Sequence, residues 1–163
     1  MHRIRPAAAA DIPAVLPMVQ AVCDFHRNLE PARYDFLPDI AARYASWLPK
    51  RATDPRSVFL VAEIENGLAG FLVGEVLDEI PIFTLKQYGF IHDLWVEPAV
   101  RKQGLGRALV AEAVNRFAAM GVTQVRGDTA ADNDRARSLI APLGFVPTTV
   151  QVLKVLDAPA PNP

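Results

Sequence analysis

The sequence contains a single cysteine, Cys23, among its 163 residues. One cysteine excludes an internal disulfide and a cysteine-rich zinc site, and it suits a reducing compartment. Cys23 continues an apolar helical stripe formed by Ile12, Val15, Leu16 and Val19. The stripe predicts that Cys23 packs in the core of the protein.

The chain also lacks an excess of charge of either sign. Seventeen basic residues stand against eighteen acidic residues, which gives a net charge of -1. This balance provides no overall electrostatic footprint for nucleic acid or for an anionic membrane, so we expect neither as a partner. Any anion-binding site must therefore be local.

Long apolar runs are missing as well, because no uninterrupted stretch approaches the ~20 residues that a membrane span requires. The alanine-rich start has the composition of a signal peptide, but Asp11, Pro13 and Pro17 interrupt it. We expect a cytoplasmic protein. Residues 1–157 are predicted to form one domain, and residues 158–163 a disordered, proline-rich tail.

The predicted elements alternate between strands and helices along the chain. Asp11 is placed as a helix N-cap, and the turn sequence ENG joins two β-rich runs into a hairpin. In chain order, the prediction is strand 3–6, helix 12–25, an irregular helical stretch within 28–54, strands 58–64 and 68–77, strand 89–96, helix 105–120, strand 123–130, helix 133–139 and strand 144–156.

Two segments connect these elements at unusual length. The aromatic residues of segment 28–54, Tyr34, Phe36, Tyr44 and Trp47, are expected mainly to fill gaps in the core. The loop over 78–88 is longer than a simple connection needs, so it can fold over a ligand or a partner subunit.

Residues 94–110, LWVEPAVRKQGLGRALV, run from a strand through a polar turn into a helix. The unpaired amides and the dipole at a helix start attract anions. Gly104 and Gly106 lack Cβ atoms that would hold a phosphate away from those amides. Arg101, Lys102 and Arg107 add positive charge, so the pattern favours a pyrophosphate over a single carboxylate.

Two other phosphate-binding loops fit this turn less well. No G-K-[S/T] sequence follows, which excludes the loop of nucleotide triphosphatases. Asp128 lies where a dinucleotide-binding unit places its ribose-binding acid, but Leu109 occupies the position of the third glycine. A dinucleotide oxidoreductase therefore remains only a distant alternative.

Two blocks of the sequence resemble the Gcn5-related N-acetyltransferases, the GNAT family. The family signature [Q/R]-x-x-G-x-[G/A] is met by Arg101, Gly104 and Gly106. The second block is matched by an asparagine, an alanine, a leucine and a closing Gly-Phe, which here are Asn133, Ala136, Leu139, Gly144 and Phe145. The resemblance is specific over residues 91–145, and the order of elements extends it to nearly the whole chain.

The resemblance implies an α/β fold with a mixed, mostly antiparallel sheet of about six to seven strands, flanked by about four helices. It also implies acetyl-CoA as the co-substrate, held where two parallel strands splay apart, and no metal. The predicted strand 89–96 would bind the pantetheine arm, and the polar turn after it would bind the pyrophosphate. The predicted helix 133–139 would contact both the pantetheine arm and the ribose phosphate. The residues assigned to acetyl-CoA in this way are Leu94, Trp95, Val96, Arg101, Lys102, Gln103, Gly104, Leu105, Gly106, Arg107, Asn133 and Arg137.

The implied reaction is direct attack of a primary amine on the thioester, which requires a base because such an amine is protonated at pH 7. His92 is the first candidate, and Asp93 and Glu75 are alternatives. Many family members carry a tyrosine as the acid for the leaving thiolate, whereas this sequence has Ile140 at that position. Tyr88 is the candidate for a replacement acid, and a thiolate protonated by water is the alternative.

The resemblance predicts transfer of an acetyl group to a small-molecule amine. An alternative enzymatic activity is acetylation of a protein N-terminus or of a lysine side chain. The non-enzymatic alternative is a module that binds acyl-CoA without catalysing a reaction. Dimers are common in the family, so a homodimer is a further expectation from the resemblance.

Overall fold

The computed structural model of the chain describes residues 2–156, which form one sheet with helices on both faces. The strands are β1 (Arg3–Pro6), β2 (Ser57–Ile64), β3 (Gly67–Asp78), β4 (Gln87–Val96) and β5 (Val125–Gly127). The helices are α1 (Ile12–Leu29), α2 (Ile40–Thr53), α3 (Leu105–Ala119) and α4 (Asp134–Ile140). The predicted disordered tail over 158–163 lies outside the described residues.

The strands lie side by side in sequence order, from β1 to β5. The first four pair antiparallel, and β5 pairs parallel to β4. The mixed, mostly antiparallel sheet and its four flanking helices are thus confirmed. The sheet has five strands in the described residues, fewer than the six to seven expected.

Side chains alternate between the two faces of the sheet and build two apolar layers. Phe71 and Val73 of β3 pack with α1 and α2, in the layer that also buries Cys23 as predicted. Leu72 points to the opposite layer, which α3 covers with Leu109 and other apolar side chains. The site described below lies on strand β4, between these layers.

A β-bulge interrupts the pairing of β3 with β4. Val73 lies opposite Asp93 and Gly74 opposite Ile91, so His92 is an extra residue in β4. A bulge shifts the alternation of side chains by one position. Asp93 therefore shares the face of Phe90, which lies opposite Glu75.

The predicted closing strand over 144–156 is wrong for this structure, because residues 144–156 form no regular secondary structure. A strand requires a sheet edge, and residues 146–156 make no backbone hydrogen bond to the other described residues. Gln151 instead accepts a hydrogen bond from Arg33 Nε at 2.8 Å, in the connection between α1 and α2.

Among residues 2–156, none of the helices combines the length and the apolar character that crossing a membrane requires.

Candidate active site

Strands β4 and β5 part immediately before His92. Their parallel pairing runs from Gly89 and Val125 to Ile91 and Gly127, and then stops. Within the described residues, positions 92–96 of β4 have no strand beside them on that edge. Strand β4 therefore offers backbone groups along the opening, as a bound ligand with amide groups would require.

The residues predicted to line the opening lie in the part of β4 that pairs with β3 but has no strand on the β5 side; they are Leu94, Trp95 and Val96. The backbone carbonyl of Val96 already accepts a hydrogen bond from Arg101 Nε at 2.8 Å. The Arg101 guanidinium also lies 4.5 Å from the centre of the Trp95 ring. Arg101 therefore fixes the end of the strand, a role that the sequence prediction did not include.

The polar turn contains two residues in the left-handed backbone region. Lys102 has φ 63° and Gly104 has φ 86°, and α3 begins at Leu105 without any side chain capping its first amides. Left-handed residues in such a turn direct successive amides to one side, which forms a concave anion site. Lys102, Gln103 and Arg107 are exposed around it, and their contacts with a phosphate group stay predictions.

The two glycines of the signature are required for different reasons. Gly104 needs its positive φ, and a Cβ built there meets nothing within 4 Å. A Cβ on Gly106 would lie 2.6 Å from Leu139 Cδ1, so Gly106 allows α3 and α4 to pack closely. The sequence interpretation gave both glycines the task of admitting a phosphate, which stays a prediction, and the structure adds a packing role for Gly106.

Replacing Gly106 with alanine is expected to destabilise the fold by up to about 2 kcal/mol, because overpacking the contact with Leu139 costs about 1–3 kcal/mol and the higher helix propensity of alanine offsets about 1 kcal/mol. Denaturant unfolding measures this free energy. The double variant Gly106→Ala with Leu139→Ala should recover much of the loss. A double variant whose loss is the sum of the two single losses would contradict the contact.

Asn133 and Arg137, which were expected to contact the co-substrate, hold α4 in place. Asn133 is 6% exposed, and its Oδ1 caps α4 by accepting a hydrogen bond from the Ala136 amide at 3.1 Å. Its Nδ2 donates to Thr129 Oγ1 at 2.7 Å. Arg137 donates to Asp134 and to the Ala131 carbonyl and is half exposed. Their contacts with a ligand stay predictions.

His92 forms a partly buried polar cluster with Glu75 and Arg51 on the α1 and α2 face of the sheet. His92 Nε2 lies 2.9 Å from Glu75 Oε1, and Arg51 Nη1 donates to the other oxygen of the same carboxylate. A carboxylate accepts hydrogen bonds, so Glu75 favours the tautomer with hydrogen on Nε2 and a lone pair on Nδ1. Burial lowers the pKa of His92 below its ordinary 6.5, the Arg51 charge lowers it further, and Asp93 opposes both.

Arg51 is the part of this cluster that the sequence prediction missed. It is 5% exposed, and its guanidinium lies 5.3 Å from the centre of the Trp47 ring. Asp54 gives it a second acidic partner at 3.5 Å. Tyr44, Trp47 and Arg51 recur at helical spacing on one side of α2, a signal by which this polar face can be recognised.

Asp93 is half-buried, and its carboxyl accepts a hydrogen bond from the Tyr44 hydroxyl at 2.7 Å. Burial raises the pKa of Asp93 above its ordinary 3.8. The hydrogen bond from Tyr44 opposes this rise without cancelling it. The aromatic side chains Tyr44 and Trp47 pack against the core, as predicted. Tyr44 has the additional task of holding Asp93.

Replacing Tyr44 with phenylalanine is expected to lower the free energy of unfolding by about 1–3 kcal/mol, because Asp93 loses its hydrogen-bond partner. The loss should be larger at pH 8 than at pH 5. The folded-state pKa of Asp93 lies above the ordinary value, so stability falls as pH rises from 3.8 to the folded pKa. Without the bond from Tyr44, the folded-state pKa of Asp93 rises further. Stability then continues to fall up to a higher pH than in the wild type.

Denaturant unfolding at both pH values measures the effect of Tyr44→Phe, with Tyr34→Phe as the matched control. Tyr34 is also partly buried, but its hydroxyl makes no hydrogen bond within residues 2–156. Equal losses at pH 5 and pH 8 would contradict the role of the Tyr44 to Asp93 bond.

Tyr88, the candidate acid, lies on the same face of β4 at a greater distance from the opening. Its ring centre is 6.4 Å from that of Phe90, which is 5.1 Å from that of His92. Arg126 of β5 lies 4.0 Å from the centre of the Tyr88 ring. The structure therefore brings His92, Asp93 and Glu75 together, and it places Tyr88 further along an aromatic row.

The family model for the Acetyltransferase (GNAT) family matches residues 19–145, which include both strands of the opening and the turn before α3. The chain belongs to the GNAT family. The predicted family is thereby confirmed, and the matched region contains every candidate site residue named above.

A curated relative from Archaeoglobus fulgidus, described as an uncharacterised N-acetyltransferase, is 32% identical over 96 residues. The match covers 59% of this chain and 62% of the relative, so the chain spans about three fifths of that relative's length.

Solved structures of other proteins share the fold. A predicted acetyltransferase from Clostridium acetobutylicum, solved with acetyl-CoA, matches at 18% identity and a TM-score of 0.76, over 95% of this chain and 96% of that one. An aminoglycoside 6'-N-acetyltransferase from Acinetobacter baumannii matches at 18% identity and a TM-score of 0.71, over 97% and 99%. At this identity the likeness concerns the fold alone.

Proposed function

We propose that this GNAT protein transfers the acetyl group of acetyl-CoA to a primary amine of a small molecule by direct attack. The observation that carries the proposal is the position of His92. It lies on the bulge of β4, directly after the last residue paired with β5, and it contacts Glu75. A candidate base thus lies where the strand opening begins.

The acyl-donor side of the proposal rests on the opening and the turn beside it. Free backbone groups of β4 suit the amides of a pantetheine arm, and the amides around Gly104 suit a pyrophosphate. Two proteins with the same fold support these assignments. The A. baumannii protein is named as an aminoglycoside N-acetyltransferase, and the C. acetobutylicum protein was solved with acetyl-CoA.

The acceptor side rests on the acidic and aromatic face around His92. Glu75 supplies a carboxylate, and the rings of Trp47 and Phe90 lie 5.4 Å and 5.1 Å from that of His92. Aromatic faces favour a cationic group, and so does the carboxylate of Glu75 to the extent that Arg51 leaves its charge uncompensated. An ammonium substrate is therefore attracted to the residue that must take its proton.

In the proposed reaction, Nδ1 of His92 accepts a proton from the substrate ammonium, and the freed nitrogen lone pair attacks the thioester carbonyl carbon. Holding both reactants in position can supply about 7–11 kcal/mol of the barrier. Glu75 acts as a positioning residue, because its contact with Nε2 keeps the lone pair on Nδ1.

The C–S bond of the resulting tetrahedral intermediate then breaks, and the sulfur leaves as a thiolate. The nitrogen gives up its second proton, and the thiolate gains one from Tyr88 or from water. One ammonium and one thioester yield one amide, one thiol and one proton. Ile140, which occupies the position of the usual tyrosine, has no ionisable group for this step.

Thiol release from acetyl-CoA, measured with a panel of amines, tests the proposed function. The panel contains a diamine, an aminoglycoside, and a peptide that carries both a lysine and a free N-terminus. Turnover with a small amine at a rate well above that with the peptide is expected. Faster turnover of the peptide would favour a protein acetyltransferase, and acetyl-CoA binding without turnover of any amine would favour a non-catalytic module.

A further inference from the structure

A row of aromatic side chains leads away from His92 along β4, toward the start of the strand. The centre of the Phe90 ring lies 5.1 Å from that of His92, and the centre of the Tyr88 ring lies 6.4 Å from that of Phe90. Trp47 of α2 borders the His92 end of the row, with ring centres 5.4 Å apart. All four side chains are only half-buried, so the row offers apolar surface beside the candidate base.

More apolar surface lies next to the Tyr88 end of the row, in the loop over 79–86 between β3 and β4. Ile80, Ile82 and Phe83 of this loop are 55%, 81% and 51% exposed. Arg126 connects the loop to the row, because it pairs with Glu79 at 2.7 Å and lies 4.0 Å from the centre of the Tyr88 ring. Exposed apolar side chains gathered beside a polar site mark a surface that binds another molecule.

Two carboxylates lie beside the row, and each is already paired with an arginine. Glu75 accepts a hydrogen bond from Arg51, and Glu79 pairs with Arg126. The Arg126 guanidinium also occupies a face of the Tyr88 ring. A second ammonium group placed along the row would therefore meet two guanidinium groups and carboxylates whose charge is compensated, and contact between like charges is unfavourable.

We propose that the acceptor is a monoamine whose apolar or aromatic body lies along Phe90 and Tyr88, toward the loop over 79–86. Its one ammonium group lies at His92, and its body gains binding energy by leaving water for the aromatic row. Polyamines and aminoglycosides carry several ammonium groups, so this face disfavours them. The inference rests on the proposed function and narrows its substrate class.

A series of amines tests this substrate class through kcat/KM at pH 7, with acetyl-CoA held constant. Among straight-chain monoamines from ethylamine to octylamine, we expect kcat/KM to rise by about two- to fourfold for each added methylene group. Phenethylamine should likewise exceed ethylamine by ~10-fold or more. The diamine with the chain length of octylamine should be poorer than octylamine by ~10-fold or more, because its second ammonium would lie among paired charges.

The variant Arg126→Gln tests whether charge pairing sets this preference. It frees the Glu79 carboxylate and uncovers the Tyr88 ring, so kcat/KM of the diamine relative to octylamine should rise by ~10-fold. Arg116→Gln is the matched control. Arg116 has the same 39% side-chain exposure and pairs with Glu112 at 2.8 Å, but it lies on α3. That variant should keep the wild-type ratio of diamine to octylamine.

The possible results separate this inference from the proposed function. Wild-type protein that prefers the diamine or an aminoglycoside to octylamine, or that shows no dependence on chain length, would overturn the inference and leave the acetyltransferase activity standing. An unchanged ratio in Arg126→Gln would also overturn it, since Glu79 and Arg126 would then have no part in selecting the acceptor. Absence of turnover with every amine would instead defeat the proposed function, and the inference with it.

Discussion

Replacing His92 with glutamine is expected to lower kcat by ~100-fold or more and to leave the affinity for acetyl-CoA unchanged. Glutamine retains a donor for Glu75 Oε1 but has no group that accepts a proton near neutral pH. The loss should therefore fall on the chemical step. Steady-state kinetics with the best amine of the panel, together with a binding titration, measure both quantities.

The pH profile separates a catalytic His92 from a structural one. Burial holds the pKa of His92 below 6.5, so kcat/KM of the wild type should rise with pH through that lowered pKa and level off above it. His92→Gln should lack this limb. His2→Gln, the same substitution at an exposed residue before β1, should retain both rate and profile.

A decrease of only a few-fold in His92→Gln, with the acid limb intact, would contradict the assignment of the base. Proton transfer would then fall to Asp93, Glu75 or a chain of waters. Of these, Asp93 is already engaged by Tyr44 and Glu75 by Arg51, which is why we expect His92 to act.

Replacing Gly104 with leucine is expected to weaken acetyl-CoA binding by ~100-fold or more. Gly104 has φ 86° at the N-cap of α3, a conformation that costs a residue with a Cβ about 1–2 kcal/mol. The strain rotates the peptide groups of the turn, and the amides that form the anion site lose their common direction.

Gly121 provides a matched control at the other end of α3. Its φ is 83°, and a Cβ there also meets nothing within 4 Å. Gly121→Leu should therefore lose a similar amount of stability but keep its affinity for acetyl-CoA. Equal losses of affinity in the two variants would mean that strain in α3, rather than the turn, decides binding.

The sequence predicted those parts of the fold that local patterns specify. The hairpin of β2 and β3 followed from two β-rich runs around ENG, and the buried position of Cys23 followed from the helical stripe of α1. Helix α4 ends at Ile140, two residues before Pro142, because a proline inside a helix disrupts it. The chain continues as a short 3-10 helix over Ala141–Leu143. Each of these features depends on neighbours close in sequence.

The features that the sequence did not reveal depend on residues far apart in the chain. The bulge at His92 arises from the register between β3 and β4, and Arg51 meets Glu75 only after α2 packs on the sheet. The role of Gly106 required knowledge of Leu139 on the next helix. The strand predicted over 144–156 is absent because strand propensity alone does not pair a segment with a sheet edge, although the outer edge of β5 has no strand beside it in the described residues.

The measurement that tests the central claim most directly is a calorimetric titration of the purified protein with acetyl-CoA, with NADH as the control ligand. We expect micromolar binding of acetyl-CoA, loss of that binding in Gly104→Leu, and no binding of NADH. Wild-type protein that binds no acetyl-CoA, or that binds NADH instead, would contradict the assignment of the β4 opening and its turn to an acyl-CoA.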